Sequence, residues 1–308
     1  MFKLGNPSIS QYLLRDMKHF LDAFLDNEAQ QGPFGLIIGH PVHQSLSPEM
    51  HNLAASHHAI DFKYHRLDLP PEDLDQICEL FAHPNFRGAN VTVPHKIDVA
   101  KYLDDISDEA HIIGAVNTIV VDGKRRIGFN TDAYGFSQPL NPYKKRLQGG
   151  KALIFGTGGA TRAIVYALNV MGVDEIWLVA RQPHTIQIAD FFASKNIRTV
   201  SYTHWTKEAN DLDLIVNATP LGMVPEVETC PIEEHEKDSM VGKIVYDIVY
   251  KPLETKLLRL ANMVMADSVD GLGMLIHQGA KAFELWNGLP FPVDLINAHL
   301  RKILHERL

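Results

Sequence analysis

From Phe34 onward the chain alternates short apolar runs with stretches of helical period, and that alternation predicts an α/β protein. FGLIIG predicts a strand, and SPEMHNLAASHHA a helix with Pro48 in its first turn. FKYHRLDL predicts a strand, PEDLDQICELFA a helix, and GANVTV a strand leading into PHKIDVAKYL. HIIGAVNTIVV and RRIGFNTD predict two strand pieces joined by a turn at Asp122-Gly123. Residues 137–150, rich in Pro, Asn, Lys and Gly, predict a connection into a second unit. There KALIFG, EIWLVA, LDLIVNA and KIVYDIV recur between helical stretches, the rhythm of a doubly wound parallel sheet. GMLIHQGAKAFELWNG and VDLINAHLRKILHERL predict two closing helices.

Residues 1–33 stand apart as an N-terminal helical extension. Leu13, Leu14, Met17, Phe20, Leu21, Phe24 and Leu25 recur at helical spacing, with Ser8 or Ser10 placed to cap and Gly32-Pro33 to terminate. A helix packed on its own domain is the expectation; the same stripe is the candidate interface if the protein is a homodimer and not a monomer.

A length of 308 residues suffices for two cores. No apolar run approaches the ~18 residues of a membrane span, and the first residues show no secretory signal pattern. Two widely separated cysteines, Cys78 and Cys230, suit a reducing, cytoplasmic setting. A net charge of -8 excludes a nucleic-acid-binding surface as a main function, and an anionic substrate must be drawn in by local groups.

KALIFG-TGGATRAIVYAL is a strand, a glycine turn and a helix in the order that seats a dinucleotide pyrophosphate. Gly156 allows the turn and Gly158 lets backbone approach the phosphates, with Thr161 at the third small position. The next strand ends in Ala180-Arg181, without the acid that binds a ribose 2′-hydroxyl. Arg181 offers a planar cation for a 2′-phosphate, so NADP is expected over NAD.

Four patches of the first unit are polar where a core would be apolar. Ser45 and Ser47 stand at a helix start and form a carboxylate-binding corner, although Ser47 before Pro48 also reads simply as a helix cap. Strand alternation puts Asn90 and Thr92 on one face, and the following turn frees Lys96 to project into a cleft. Asn117-Thr118 and Asn130-Thr131-Asp132 complete a set that suggests a polyol site with one lysine and one carboxylate. The sixteen histidines, His51 and His57-His58 among them, lack metal-site spacing and read as ordinary surface residues; no metal is expected.

From Phe34 on, the chain resembles the shikimate dehydrogenase family. The strings SLSPEMHN, GANVTVPHK, GAVNT, GFNTDAYG, GTGGA, NATPLGM, DIVYKPLET and GLGMLIHQGAKAFELW carry the resemblance. It implies an NADP-dependent enzyme that interconverts 3-dehydroshikimate and shikimate, with Lys96 and Asp132 as catalytic pair. It implies that Ser45 and Ser47 bind the substrate carboxylate, and that Thr92, Asn117, Tyr250 and Gln278 contact the substrate. Gly156, Gly158, Gly159 and Ala160 map to the pyrophosphate loop, and Arg181, Thr219, Met223 and Gly271 to further cofactor-binding positions.

The fold expected is an α/β substrate-binding domain, residues 34–131 with 272–308, and a Rossmann-type NADP domain, residues 132–271. The sequence departs from the family pattern at Gln44, where histidine is common, at Ala180-Arg181-Gln182 in place of Asn-Arg-Thr, and in its extension. The competing readings are a quinate/shikimate dehydrogenase using NAD or both cofactors, a relative acting on another cyclic or folate-type substrate, and a non-catalytic dinucleotide-binding regulator. The last gives Lys96 and Asp132 nothing to do. A lysine has an ordinary pKa of about 10.4, so it must be desolvated or donate to a developing alkoxide, with the carboxylate as its coupled partner.

Overall fold

The computed structural model describes residue 21, residues 24–181 and residues 196–306. The first sheet contains β1 (Phe34–Gly39), β2 (Lys63–Asp68), β3 (Phe86–Val91), β4 (Asp105–Ile106), β5 (Thr118–Asp122) and β6 (Arg125–Phe129). Its order is β2-β1-β3-β5-β6-β4. β1, flanked by parallel β2 and β3, is buried at every residue, as the unbroken run FGLIIG requires. β5 and β6 form the antiparallel hairpin predicted at Asp122-Gly123. Its helices are α1 (Ser47–His57), α2 (Ile77–Ala82), α3 (Asp108–Ile113) and α4 (Asp132–Ser137).

The second sheet contains β7 (Lys151–Phe155), β8 (Glu175–Ala180), β9 (Ile197–Ser201), β10 (Leu214–Asn217), β11 (Ile244–Asp247) and β12 (Asp267–Val269). All its pairings are parallel, in the order β12-β11-β10-β7-β8-β9. Counted from β7, that is the 3-2-1-4-5-6 order of a dinucleotide-binding sheet, whose switch point lies between β7 and β10. The helix α5 (Gly159–Val170) follows β7, and α6 (Lys256–Met263) precedes β12. The closing helices α7 (Leu272–Asn287) and α8 (Val293–Glu306) return to the first sheet, where Trp286 Nε1 donates to Ile119 O at 2.9 Å.

The helix α4 joins the two halves. A Cβ added to Gly135 would stand 2.7 Å from Met274 O on α7, so only glycine lets these helices approach so closely. The next residue, Phe136, stacks on Tyr246 of β11 with ring centroids 4.8 Å apart.

Several sequence expectations need correction. His111–Ile113 is the end of α3 and not a strand: Ser107 caps the helix, Asp108 and Glu109 occupy its first turn, and Ala110 and Ile113 face inward. PEDLDQICELFA divides into a 3-10 turn and the short α2. Asp132 begins a helix instead of ending a strand. Ser47 is the first residue of α1, whose cap position is Leu46, so the capping role falls away. His51 is fully buried, stacked on Tyr64 at 4.3 Å, and no surface residue. Of the N-terminal stripe, Leu21 and Phe24 are buried in the first sheet's own core, Phe24 lying 5.3 Å from Phe34. Leu25 is half-buried against the same core, and Ser8, Ser10 and the rest of that stripe lie outside the described residues.

Candidate active site between the two sheets

The loop after β3 is held so that Lys96 can leave it. Thr92 N donates to Ile38 O at 2.8 Å, continuing the sheet past the strand's end. The next anchor is the buried His95, whose ring lies 2.5 Å from Leu69 O. Lys96 O in turn accepts from Val116 N at 2.7 Å, which ties the lysine's backbone beside Asn117.

Lys96 Nζ donates to Asp132 Oδ2 at 2.6 Å, with side chains 14% and 8% exposed, so the pair is largely removed from water yet reachable. Asn117 Nδ2 donates to Asp132 Oδ1 at 2.8 Å. Asn117 Oδ1 accepts from Thr131 N at 2.7 Å and from Thr118 Oγ1 at 3.0 Å. The carboxylate is thus fixed through both oxygens, one by a cation and one by an amide with no freedom to flip.

At the start of α1, Ser45 Oγ donates to Ser47 Oγ at 3.1 Å and accepts from Ser47 N at 3.2 Å. Arg66, which sequence reasoning passed over, clamps this corner from β2. Its Nη2 reaches Ser45 O at 2.5 Å and Glu49 Oε2 at 2.6 Å. Tyr250 lies beside the same corner; burial and then Glu49 raise its phenol above the ordinary value, while Arg66 opposes.

The glycine turn lies across from this cluster. Gly156 has φ +104°, and a Cβ there would stand 2.9 Å from Thr219 Cγ2 and 3.0 Å from Ala218 O, so β7 and β10 meet only over a glycine. A Cβ on Gly158 would meet nothing within 4 Å, which leaves its backbone open to a phosphate. Gly158 caps α5 without a side-chain bond; Thr161 N turns back to Gly158 O at 3.1 Å, and the N–H groups of Gly159 and Ala160 before it are the ones placed for an anion. A Cβ on Gly159 would stand 3.9 Å from Lys96 Cδ, so the turn faces the lysine directly. These features fit a dinucleotide.

The remaining candidates divide. Thr219 closes a compact turn in which its N and Oγ1 both donate to Asn217 Oδ1, at 3.0 and 2.6 Å. Met223 follows and is 46% exposed. Arg181 is exposed at the end of β8. Gln278 is buried, and its Nε2 donates to Leu275 O within α7 at 2.8 Å. Gly271 is explained by packing: a Cβ there would stand 2.2 Å from Ile248 O. A cavity of about 310 Å³ beside α4, rimmed by Glu109, Tyr134, Tyr166 and Lys281, includes neither Lys96 nor the glycine turn and is a separate feature. Among the described residues, no group of three metal-ligating side chains gathers, and no helix is long and apolar enough to cross a membrane.

Sequence reasoning missed Arg66 and the buried trio Asn217, Asp247 and Thr255 beneath the cofactor-side loop. The trio's signal was present, since all three stand in the strings NATPLGM and DIVYKPLET.

The family models and the curated relatives carry the name of one family. Residues 37–119 match the description "Shikimate dehydrogenase substrate binding domain", and residues 271–301 match "Shikimate 5'-dehydrogenase C-terminal domain". A curated relative from Symbiobacterium thermophilum, named shikimate dehydrogenase (NADP(+)), is 40% identical over 84% of this chain and 90% of its own length. The shikimate 5-dehydrogenase of Thermus thermophilus, solved with NADP(H) and shikimate, superposes with a TM-score of 0.77 at 35% identity, covering 88% of this chain and 99% of that one. A quinate dehydrogenase from Corynebacterium glutamicum, solved with NAD, gives a TM-score of 0.80 at 28% identity over 88% of this chain and 99% of that one.

Proposed function

Because the chain belongs to the shikimate dehydrogenase family, we propose that it catalyses the reversible, NADP-dependent interconversion of 3-dehydroshikimate and shikimate. The observation that carries this reading is the Lys96–Asp132 pair, 2.6 Å apart and directly opposite the glycine turn. Bound NADP supplies the acceptor or donor of the hydride at the ring carbon that bears the reacting oxygen.

The chain's own residues supply the remainder. Ser45 and Ser47 at the start of α1 hold the substrate carboxylate, with Arg66 fixing Ser45 by its carbonyl. Tyr250 faces the same corner, while Thr92 and Asn117 line the path to the ring hydroxyls. In alcohol oxidation the hydroxyl proton passes to the Lys96–Asp132 pair as the C–O bond becomes a carbonyl. In reduction, Lys96 Nζ donates to the carbonyl oxygen and the pair returns the proton. Lys96 and Asp132 act as one coupled unit in this step. Gly156, Gly158, Gly159 and Ala160 seat the pyrophosphate, Arg181 the 2′-phosphate, and Thr219 and Met223 face the nicotinamide side.

Absorbance of the reduced nicotinamide, followed with shikimate or quinate and with NADP or NAD, tests the proposal. Turnover highest with shikimate and NADP is the expected result; no turnover in any combination would overturn it. The string Ala180-Arg181-Gln182 gives one reason to include NAD, because the Asn and Thr of the family pattern are missing beside the arginine. The ligands reach the protein as free small molecules. We place the enzyme in the cytoplasm, in keeping with its two unpaired cysteines, Cys78 exposed and Cys230 half-buried.

A further inference from the structure

We propose that Asp247 is a positioning residue that locks the cofactor-side loop and the tyrosine-bearing turn into one arrangement, acting through Asn217 and Thr255. The inference rests on the reading of NADP above and extends it to residues that the proposed mechanism leaves unused.

Asn217 and Asp247 are register partners at the C-terminal ends of the adjacent parallel strands β10 and β11, so their side chains share a face. Both are fully buried. Asp247 Oδ1 accepts from Asn217 Nδ2 and from Val249 N, each at 3.0 Å, and its Oδ2 accepts from Thr255 Oγ1 at 2.6 Å. A carboxylate only accepts, so it forces the Asn217 amide to present its nitrogen to Asp247. The amide oxygen then faces the opposite way, where Thr219 N and Oγ1 meet it. Asn217 Nδ2 also holds Leu221 O at 3.0 Å, and Thr219 Oγ1 accepts from Leu221 N at 3.2 Å.

Three segments therefore converge on one carboxylate. Through Asn217 it orients the loop that carries Thr219 and leads to Met223. Through Val249 N it shapes the turn whose next residue is Tyr250. Through Thr255 it fixes the cap of α6, since Thr255 Oγ1 also accepts from Leu258 N. Burial outweighs these donors and lifts the carboxyl to about 6. A group carrying that desolvation cost contributes geometry more than stability.

The test compares Asp247→Leu, which has no acceptor, with Asp247→Asn, whose side-chain oxygen still serves Asn217 and Val249. Two quantities are read: amide hydrogen exchange at Thr219 and Leu221 in the cofactor-free chain, and the Kd for NADP by calorimetry. Asp247→Leu is expected to speed exchange at both amides by about tenfold or more and weaken NADP by about 10- to 100-fold, the span for losing a group that orients a ligand-binding residue. Asp247→Asn is expected to stay within about threefold on both readouts. Parental protection and parental Kd in Asp247→Leu would overturn the proposal. If that variant does not fold, Thr255→Val decides, because it removes the Oδ2 bond together with the α6 cap and leaves the Asp247 side chain and its Oδ1 partners in place: faster exchange at Thr219 and Leu221 supports the role and unchanged exchange refutes it. An unmodified chain that binds no NADP would overturn the cofactor reading instead, and the exchange arm would still judge Asp247.

Discussion

Asn117 Nδ2 lies 2.8 Å from Asp132 Oδ1, while Lys96 Nζ holds the other carboxylate oxygen at 2.6 Å. With both oxygens engaged, the carboxylate cannot rotate away from the lysine, and a substrate hydroxyl meets a pair already oriented. Charge and geometry are in place before the ring arrives.

Removing the cation leaves that arrangement without its proton carrier. Lys96→Ala is expected to lower kcat by about 10²- to 10⁴-fold with a smaller effect on KM, the pattern for losing an acid–base group. Steady-state kinetics with shikimate and NADP measure it, and near-parental turnover would remove Lys96 from the reaction.

Arg181 stands exposed where an NAD enzyme would place an acid. Arg181→Ala is expected to lower kcat/KM for NADP by about 10- to 100-fold, the worth of a charge-assisted contact. The value for NAD should stay nearly unchanged. Equal losses with both cofactors would mean that the guanidinium does not read the 2′-phosphate.

Gly156→Ala places a methyl 2.9 Å from Thr219 Cγ2 on a residue held at φ +104°. Strain alone costs about 1–2 kcal/mol, and the clash adds to it. The expected result is a lower midpoint of denaturant unfolding together with weaker NADP binding. Parental values in both would show that the turn yields more readily than its contacts suggest.

His51 gives the protein an acid-sensitive element. Burial pushes its imidazole from 6.5 down to about 3, Asn90 beside it opposing, and neither ring nitrogen reaches a hydrogen-bond partner among the described residues. Between those two values the unfolded chain binds a proton that the folded chain refuses, so stability falls as pH falls. From pH 7 to pH 5 this residue removes about 2 kcal/mol. His51→Phe is expected to abolish that part of the slope in urea unfolding at the two pH values. An unchanged slope would mean that His51 is protonated in the folded state.

The parts of this architecture that depend on neighbours along the chain were legible in the sequence. The run FGLIIG, the glycine turn after KALIF and the hairpin at Asp122-Gly123 announce themselves because their causes are local. Lys96 and Asp132 were found as members of recognisable strings, and the fold places them in contact. The bond between Asn217 and Asp247 depends on the register of two parallel strands, which no local pattern states. His51 was misread for a related reason: its burial is created by Tyr64, Phe283, Trp286 and Phe291, three of which arrive from the far end of the chain. The C-terminal part of α3, His111–Ile113, was misassigned because its apolar residues, Ile112 and Ile113, are adjacent, and two apolar neighbours fit either period.

The helix α4 begins with Asp132 and is gripped on one side by α7 at Gly135 and on the other by β11 through Phe136 and Tyr246. A swing of one sheet against the other about this helix moves its first residue least of all, as an axle's end moves less than the wheel's rim. Opening the groove to exchange ligands would therefore widen the gap above Gly159 while leaving the proton-handling pair almost where it was, so each cycle would begin without reassembling it.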